Sequence, residues 1–578
     1  MSSITPLGSA HASPTLDTTV HTPETVPASN SVSDNFDTSP VTPTAAIGAT
    51  SSLTVVDEPE NTAVATVSRD PGFWYNFKQK FWTKIVTMAF SAAKVIPVTK
   101  PGKEKLEMVR YSEMNPEIHI DNIYVTSDVP EVEKSKSKEI LYAVIRWLSN
   151  SFSLHTSTTP PISDDFDEIL KVAYPQAYRQ LLPAPVIPPE IAARPDDIVG
   201  TLALEGPFAA YIEKVSGTDN LFKIDLEKYS GVAVREGLKS LGGTAYLTYD
   251  PLEKRMNTVS IRYKGQTYLP SSTEWKAVQK IILCTLSTDM TGIRHLANTH
   301  LLVSGTFAGV NTRTLEPNHP LRVLMHPHCH LTLSTNNYKV ANLISSENSA
   351  FPKAFSFDKA TVQNLINDHA ATFDIASMDP AVNAQDRGMT GLDFEYPYLS
   401  NATSIKGVID QYVADYIDTY FPNEESLQND PQIQNWFAEL NKYIPNGITH
   451  YTPEVTKENV IKLCSMLIQT AAVEHENVGN ITWNYTTLQQ YIPSLVPLDG
   501  SNPPMDVYQR YINTSVLTFI PLNQLMDDYT SIALDEKGAA CMNQFRSNLA
   551  DLQTQMETES EFKYSTMYPK NLECSVST

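Results

Sequence analysis

Basic residues are scarce in this chain, and their scarcity excludes several kinds of partner. Of 578 residues, 43 are lysine or arginine and 65 are aspartate or glutamate, so the formal net charge is −22. Phosphate backbones and anionic lipid headgroups repel such an acidic protein. We therefore expect neither nucleic acid nor an anionic membrane surface as a main partner.

Cysteine is also rare, and no long apolar run is present. The five cysteines are widely spaced, which predicts no disulfide framework and favours a reducing compartment. The apolar run at residues 81–98 contains Lys84 and Lys94, so we do not expect it to span a membrane. Because the chain does not start with a basic segment followed by an apolar core, we expect a cytoplasmic protein. The sequence does not indicate an oligomeric state.

The beginning of the chain lacks basic residues altogether. No lysine or arginine precedes Arg69, and serine, threonine, proline and alanine dominate there. Such a segment buries too little apolar surface to offset its ordering entropy. The sequence thus predicts a disordered tail at residues 1–70 and one large domain at residues 71–578.

Histidine, by contrast, is concentrated in one stretch, with six of the thirteen between His295 and His330. Apolar residues recur at three- and four-residue steps over 275–306, without proline, which predicts a helix. His295 and His300 lie five residues apart within it. On an α-helix that spacing differs by about 140° in direction. A π-type bulge would bring both imidazoles onto one face, and such bulges occur mostly at functional sites.

The spacing leaves two interpretations open, a metal-binding pair or two ordinary helix histidines. The dense group His326, His328, Cys329 and His330 offers another, a zinc site. We expect that group on an extended segment, where alternate residues point to opposite faces, and its spacing fits no standard zinc motif.

A wider pattern resembles the lipoxygenase family, most of all its shorter fungal members without an amino-terminal β-sandwich. The residues that carry it are Trp275, His295-Leu-Ala-Asn-Thr-His300, Arg313, Leu315, His319-Pro320, Leu324, Pro327-His328, Thr332-Leu333 and Asn336. The resemblance covers roughly residues 160–578. It implies a mainly α-helical domain around a long central helix, with a small β-sheet or hairpin. Residues 245–250 and 257–263 alternate apolar with polar positions and predict that hairpin.

Other segments also predict helices, at residues 361–372, 403–421 and 458–477. The box Asn429-Asp-Pro-Gln-Ile-Gln-Asn-Trp436 resembles the family as well. Asp430-Pro431 is a good helix start in its own right, so a local structural role suffices to explain the box.

In lipoxygenases the histidine pair, a histidine and a further residue from a second long helix, and the terminal carboxylate bind the catalytic metal. The resemblance therefore implies His295, His300, His475, Asn480 and the α-carboxylate of Thr578 as ligands. One iron or manganese ion per chain suits this mixed nitrogen and oxygen set. It implies oxygenation of a polyunsaturated fatty acid, with O2 inserted at a 1,4-pentadiene to give a hydroperoxide, an oxylipin. No catalytic residue beyond the metal centre is implied.

Several positions depart from the family's pattern. They are Met290 and Thr291 in place of histidine and glutamine, Gly479 at the fourth-ligand position, Thr482 in place of glutamine, and Lys339 where a small residue directs oxygen. Outer residues orient metal ligands, so these changes affect the metal. We place Lys339 at the substrate and oxygen pocket, where it would bind an acidic group. The alternative is a lipoxygenase-fold protein with altered or lost catalysis that acts on or binds a different lipid or secondary metabolite.

Overall fold

The computed structural model describes residues 95–134, 165–174, 184–516, 523–559 and 565–577, together with Phe77, Lys80, Phe81, Lys84 and Ser163. They belong to one of the two units into which the chain divides, Arg69–Thr578. The predicted tail at residues 1–70 lies outside the described residues, and its boundary with the domain stays a prediction.

Helices dominate the described residues. The α-helices are α1 Tyr111–Met114, α2 Phe166–Ala173, α3 Pro189–Ala193, α4 Ile198–Glu205, α5 Trp275–Asp289, α6 Thr306–Thr314, α7 Pro320–Cys329, α8 Thr332–Ser334, α9 Ala341–Ile344, α10 Ala350–Ala354, α11 Lys359–Ala371, α12 Pro380–Asp386, α13 Pro397–Tyr420, α14 Glu424–Gln428, α15 Pro431–Tyr443, α16 Lys457–Ile468, α17 His475–Asn480, α18 Met505–Val516 and α19 Glu536–Glu559. The π-helices are π1 Met290–Gly305, π2 Thr335–Val340, π3 Gln469–Glu474 and π4 Ile481–Thr486. Shorter 3-10 turns are Glu131–Glu133, Pro207–Tyr211, Glu227–Tyr229, Ile375–Met378, Thr530–Ile532, Ser565–Met567 and Pro569–Asn571.

Two long helical segments form the centre of the fold. The first histidine helix, residues 275–314, runs through α5, π1 and α6, and the second histidine helix, residues 457–486, runs through α16, π3, α17 and π4. Both exceed their predicted lengths, because neither contains a proline to stop it. The π1 segment packs against α11, α17 and π2. The middle of the first histidine helix is therefore covered on several sides.

A five-stranded antiparallel sheet precedes the first histidine helix. Its strands, in spatial order, are β3 Glu213–Lys214, β4 Phe222–Asp225, β5 Thr244–Asp250, β6 Arg255–Tyr263 and β7 Gln266–Tyr268. The predicted hairpin is confirmed as β5 and β6, paired from Thr244 with Arg262 to Asp250 with Arg255. Lys264 and Gly265, with φ of 51° and 76°, make the tight turn into β7. A second sheet pairs β1 Met108–Arg110 with β2 Tyr124–Thr126.

Helix starts explain how the surrounding layer is arranged. The α13 helix begins at Pro397, six residues before the predicted start, because proline is preorganised for the first turn. Asp430 caps α15 by accepting hydrogen bonds from the amides of Gln432 and Ile433. Within α15, the fully buried Trp436 donates from Nε1 to Asn311 Oδ1 at 2.6 Å. The box at residues 429–436 thus holds α15 against the first histidine helix.

None of the helices described here is both long and apolar enough to cross a lipid bilayer.

Candidate metal centre

His295 and His300 are brought together by the π-helical part of the first histidine helix. Both lie in π1, where five residues complete about one turn and place the two side chains on one face. Their Nε2 atoms are 3.2 Å apart and their ring centroids 4.8 Å apart. Of the two interpretations that the spacing left open, this arrangement is the one expected for a π-type bulge.

His475 reaches the same point from the second histidine helix. It is the first residue of α17, directly after π3. Its ring centroid lies 4.9 Å from that of His295 and 5.1 Å from that of His300. One nitrogen from each imidazole lies within 4.8 Å of the others, and no other set of three potential ligands is found among the described histidine, cysteine and acidic residues. His300 and His475 are only 2% and 3% exposed, so the centre is shielded from water.

Asn336 orients the His300 imidazole. Its Oδ1 lies 3.2 Å from His300 Nδ1, and its Nδ2 donates to the His300 carbonyl at 2.5 Å. The Tyr111 hydroxyl in turn donates to the Asn336 carbonyl at 3.1 Å. We assign the His300 proton to Nδ1, because Asn336 Oδ1 is an acceptor, which leaves the lone pair on Nε2 directed at the other two histidines. Sequence reasoning placed Asn336 in the family pattern but gave it no role at the site.

The last described residues also lie beside this centre. Thr335 Oγ1 donates to the Ser577 carbonyl at 3.0 Å, and Ser575 Oγ donates to the His330 carbonyl at 2.8 Å. Glu573 Oε2 is 4.0 Å from His475 Nδ1. Thr578, the predicted carboxylate ligand, lies outside the described residues and stays a prediction, but its predecessor is anchored one residue from Asn336.

Gly479 faces the centre and offers it no side chain. A Cβ built on Gly479 would meet His295 Nε2 at 3.4 Å and Cε1 at 3.6 Å, an ordinary contact distance. Asn480, the predicted ligand that follows it, ends α17, and its side chain lies outside the described residues, as do those of Thr482 and Lys339. The ligand role of Asn480 and the pocket role of Lys339 therefore stay predictions.

The dense group at residues 326–330 is not extended, and our expectation of an extended segment there was wrong. Residues 320–329 form α7, because Pro320 and the His319 cap start a helix there. Each imidazole of the group instead bonds to a backbone carbonyl, His326 to Thr99, His328 to Cys574 and His330 to Ile96. These histidines join distant segments of the fold, and the zinc interpretation gains no support from their arrangement.

A buried carboxylate, Asp289, lies at the junction of α5 and π1. Asp289 accepts hydrogen bonds from the hydroxyls of Tyr211 at 2.6 Å and Tyr229 at 2.5 Å, and pairs with Lys228 at 2.5 Å. Burial alone would raise the pKa of Asp289, but the charges of Lys228 and Arg294 and these hydrogen bonds lower it to about 2. No local pattern in the sequence indicates this network, since the two tyrosines lie 60 and 78 residues before Asp289.

The donor set fits a redox-active metal ion. A set of three imidazoles without a thiolate suits Fe(II) or Mn(II) better than it suits structural zinc, whose sites are rich in thiolates. A mainly helical domain built around two histidine helices that share such a centre has the architecture of the lipoxygenase catalytic domain.

Solved structures support this at the level of the fold. A calcium-dependent 11R-lipoxygenase aligns with a TM-score of 0.69 and 16% identity, over 89% of this chain and 82% of that one. Coral 8R-lipoxygenase aligns with a TM-score of 0.70 and 13% identity, over 88% of this chain and 82% of that one.

Sequence comparison leads to the same family. The lipoxygenase family model matches residues 248–519. Manganese lipoxygenase of Pleurotus sapidus is 26% identical over 254 residues, 42% of this chain and 38% of that protein. Seed linoleate 9S-lipoxygenase-3 of Pisum sativum is 22% identical over 332 residues, 49% of this chain and 38% of that protein. The chain thus spans less than half the length of these relatives. Both its sequence over residues 248–519 and its fold are similar to those of lipoxygenases.

Proposed function

We propose that this protein is a non-haem metal dioxygenase that inserts O2 into a polyunsaturated fatty acid and yields a hydroperoxide. The observation that carries the proposal is the convergence of His295, His300 and His475, whose nitrogens lie within 4.8 Å of one another. The match of residues 248–519 to the lipoxygenase family model supports an oxygen-incorporating oxidoreductase. Relatives named for linoleate or for polyunsaturated fatty acids suggest the substrate class.

We infer that the three imidazoles hold one iron or manganese ion, with the Thr578 carboxylate and Asn480 completing the set. Such an ion supplies one-electron redox chemistry to the reaction. Overall, one fatty acid and one O2 combine into one hydroperoxide, in which an oxygen atom bonds to a pentadiene carbon and the hydrogen from the CH2 group ends on the peroxide. No further reductant is needed.

The residues of the chain contribute orientation and shielding. Asn336 holds the His300 ring in one tautomer, so that its Nε2 lone pair stays directed at the centre. His300 and His475 are buried and keep bulk water from the centre, which protects reactive intermediates of the oxygenation from side reactions. We place Lys339 at the pocket, where its ammonium group would bind the acidic end of the substrate.

Metal analysis and oxygen uptake test this function together. We expect the purified full chain to hold stoichiometric iron or manganese and to consume O2 with linoleate. His295→Ala should lower metal affinity and the rate of oxygen uptake each by more than about 100-fold. Changes at residues that only orient the ligands already lower metal affinity or activity by about 10- to 100-fold. His450→Ala is the matched control, since that imidazole lies at the surface beside Asp374. Oxygen uptake that survives His295→Ala unchanged would contradict the proposed site.

A second candidate is a lipoxygenase-fold protein with altered or lost catalysis that binds a different lipid or secondary metabolite. The observation that favours it is Gly479, which faces His295 but has no ligand atom. Thr291, at a second departure, donates its hydroxyl to the Ser287 carbonyl of its own helix at 2.8 Å. A purified chain without iron or manganese would support this candidate. Bound zinc that is lost on His328→Ala would instead support a zinc site at residues 326–330.

We also propose a cytoplasmic location. All five cysteines are free thiols, and four of them are buried. That state suits a reducing compartment.

A further inference from the structure

A polar cavity lies beside the metal centre, between the two histidine helices and the small sheet. Its volume is about 360 Å³, within the range of about 300–1,000 Å³ typical of small-molecule sites. Its lining includes Arg294 and Asn298 of π1 and Gln469 and Glu474 of π3, but none of the three imidazoles. The cavity is therefore a separate compartment that shares its walls with the metal site.

The lining of this cavity carries four carboxylates and three basic groups, which are Glu213, Asp225, Asp289, Glu474, Lys228, Arg294 and Arg387. Asp289, which is only 1% exposed, pairs with Lys228, and Glu213 and Asp225 both pair with Lys223, at 3.2 and 3.1 Å. The groups without such a close ion pair are Arg294, Arg387 and Glu474, so two guanidinium groups are left with one carboxylate. A carboxylate on a ligand would pair with the second guanidinium group.

Both arginines retain hydrogen-bonding capacity. Arg294 lies with its guanidinium carbon 3.9 Å from the Tyr211 ring centroid, and its Nε is 3.9 Å from Asp289 Oδ2, too far for a hydrogen bond. Arg387 Nη2 has no hydrogen-bond partner among the described residues. Planar guanidinium groups with free N–H donors match the geometry of a carboxylate.

Gln469 adds a different requirement. It is only 3% exposed, and its Nε2 donates to the Ala402 carbonyl at 3.3 Å. Its Oε1 is buried without a partner in the described part of the chain. A buried acceptor without a donor is destabilising and is rare in folded proteins. A ligand with its own O–H or N–H group would satisfy it.

We propose that this cavity binds a small carboxylic acid that also carries a hydroxyl or amine group. The carboxylate lies between Arg294 and Arg387, and the hydroxyl or amine donates to Gln469 Oε1. This ligand is distinct from the long apolar chain of a fatty acid, for which so polar a cavity is unsuited.

Calorimetric titration of the full chain with malate and with succinate tests the proposal, because the two differ by one hydroxyl group. We expect malate to bind one per chain, and succinate at least about fivefold more weakly. Gln469→Leu should remove that difference, and Arg294→Met should weaken both ligands at least about tenfold. Arg262→Met, at a half-exposed arginine on β6 outside the lining, should bind as the wild type does.

Three results would overturn the proposal: no heat of binding for either acid at about 10 mM, equal loss in Arg294→Met and Arg262→Met, or a malate preference that survives Gln469→Leu. If Arg294→Met fails to fold, as judged by far-ultraviolet circular dichroism, the Gln469→Leu comparison decides alone. Metal content and oxygen uptake are measured on the same preparations. Failure of the proposed oxygenation thus shows in those readouts, whereas failure of this site shows only in the titrations.

Discussion

At the scale of single residues, the metal centre depends on how each imidazole is held. His300 is fixed twice by Asn336, through the ring nitrogen and through the backbone carbonyl. The segments that carry Gly305 and Asn336 approach so closely that a Cβ on Gly305 would lie 2.6 Å from Asn336 Nδ2. Only glycine is compatible with this contact. The orientation of the His300 ring thus depends on the Asn336 side chain and on the lack of a side chain at Gly305.

Gly479 provides the sharpest test at this scale. A Cβ at this position points at His295 from an ordinary contact distance, so a longer side chain has a path towards the centre. We expect Gly479→His to add a fourth imidazole and to tighten metal binding about tenfold or more, because an added ligand strengthens the site. Competition with a chelator, followed by metal analysis, measures the change.

The control for this substitution is Gly407→His, at an exposed helical glycine with nothing near its Cβ position. It reproduces the gain in helix propensity without approaching the metal. Equal metal affinity in both variants would show that a side chain at position 479 does not reach the metal.

Sequence reasoning singled out His295 and His300 because their five-residue spacing is a local signal, whereas His475 followed only from the resemblance to the lipoxygenase family. Asn336 was present in the same pattern, but its contact with His300 joins positions 36 residues apart. Tyr211 and Tyr229 gave no signal, since a tyrosine in a short turn is an ordinary core residue until folding places Asp289 against it. Contacts that only tertiary structure creates were therefore beyond prediction.

At the scale of elements, Asp430 links two helices that support the first histidine helix. It caps α15, and its Oδ2 lies 3.2 Å from His319 Nε2. His319 in turn caps α7 by accepting from the Leu321 amide at 3.2 Å. One carboxylate thus fixes the starts of two helices, which accounts for the box at residues 429–436 without any catalytic role.

Removal of this carboxylate should destabilise the domain. We expect Asp430→Ala to lower the free energy of unfolding by about 1–2 kcal/mol, the usual cost of a lost helix cap. Urea denaturation followed by circular dichroism measures the loss. Asp551→Ala, at an exposed position within α19, serves as the control and should change stability by less than about 0.5 kcal/mol. A loss of similar size in both variants would refute the linking role.

Prediction of elements succeeded where local signals were strong. The β5–β6 hairpin followed from strict alternation, and the π-helix followed from the spacing of His295 and His300. The start of α13 was placed six residues too late, at residue 403, although Pro397 is favourable in a first turn. The α7 helix was missed because Pro327 lies inside it, and proline normally argues against a helix interior.

At the scale of the whole molecule, buried neutral histidines make stability depend on pH. Burial lowers the pKa of His326 to about 3 and that of His328 to about 4. An unfolded chain titrates its histidines near about 6.5. Between these pH values the two histidines bind protons in the unfolded state but not in the folded state. The folded state is therefore favoured at neutral pH, and this advantage declines as the pH falls from about 6.5 towards 4.

Urea titrations at pH 7, 6, 5 and 4.5 measure this dependence. Each of the two histidines should contribute a slope of at most about 1.4 kcal/mol per pH unit once the unfolded side chain is protonated. The slope should decrease by about one proton in His328→Gln, whatever that substitution does to stability at neutral pH. An unaltered slope in His328→Gln would mean that His328 takes up its proton equally in both states.

Asp289 affects stability at lower pH than the histidines do. Because folding lowers its pKa to about 2, its contribution to stability is lost only as the pH falls below about 3.8. The two contributions are therefore separable on one pH axis.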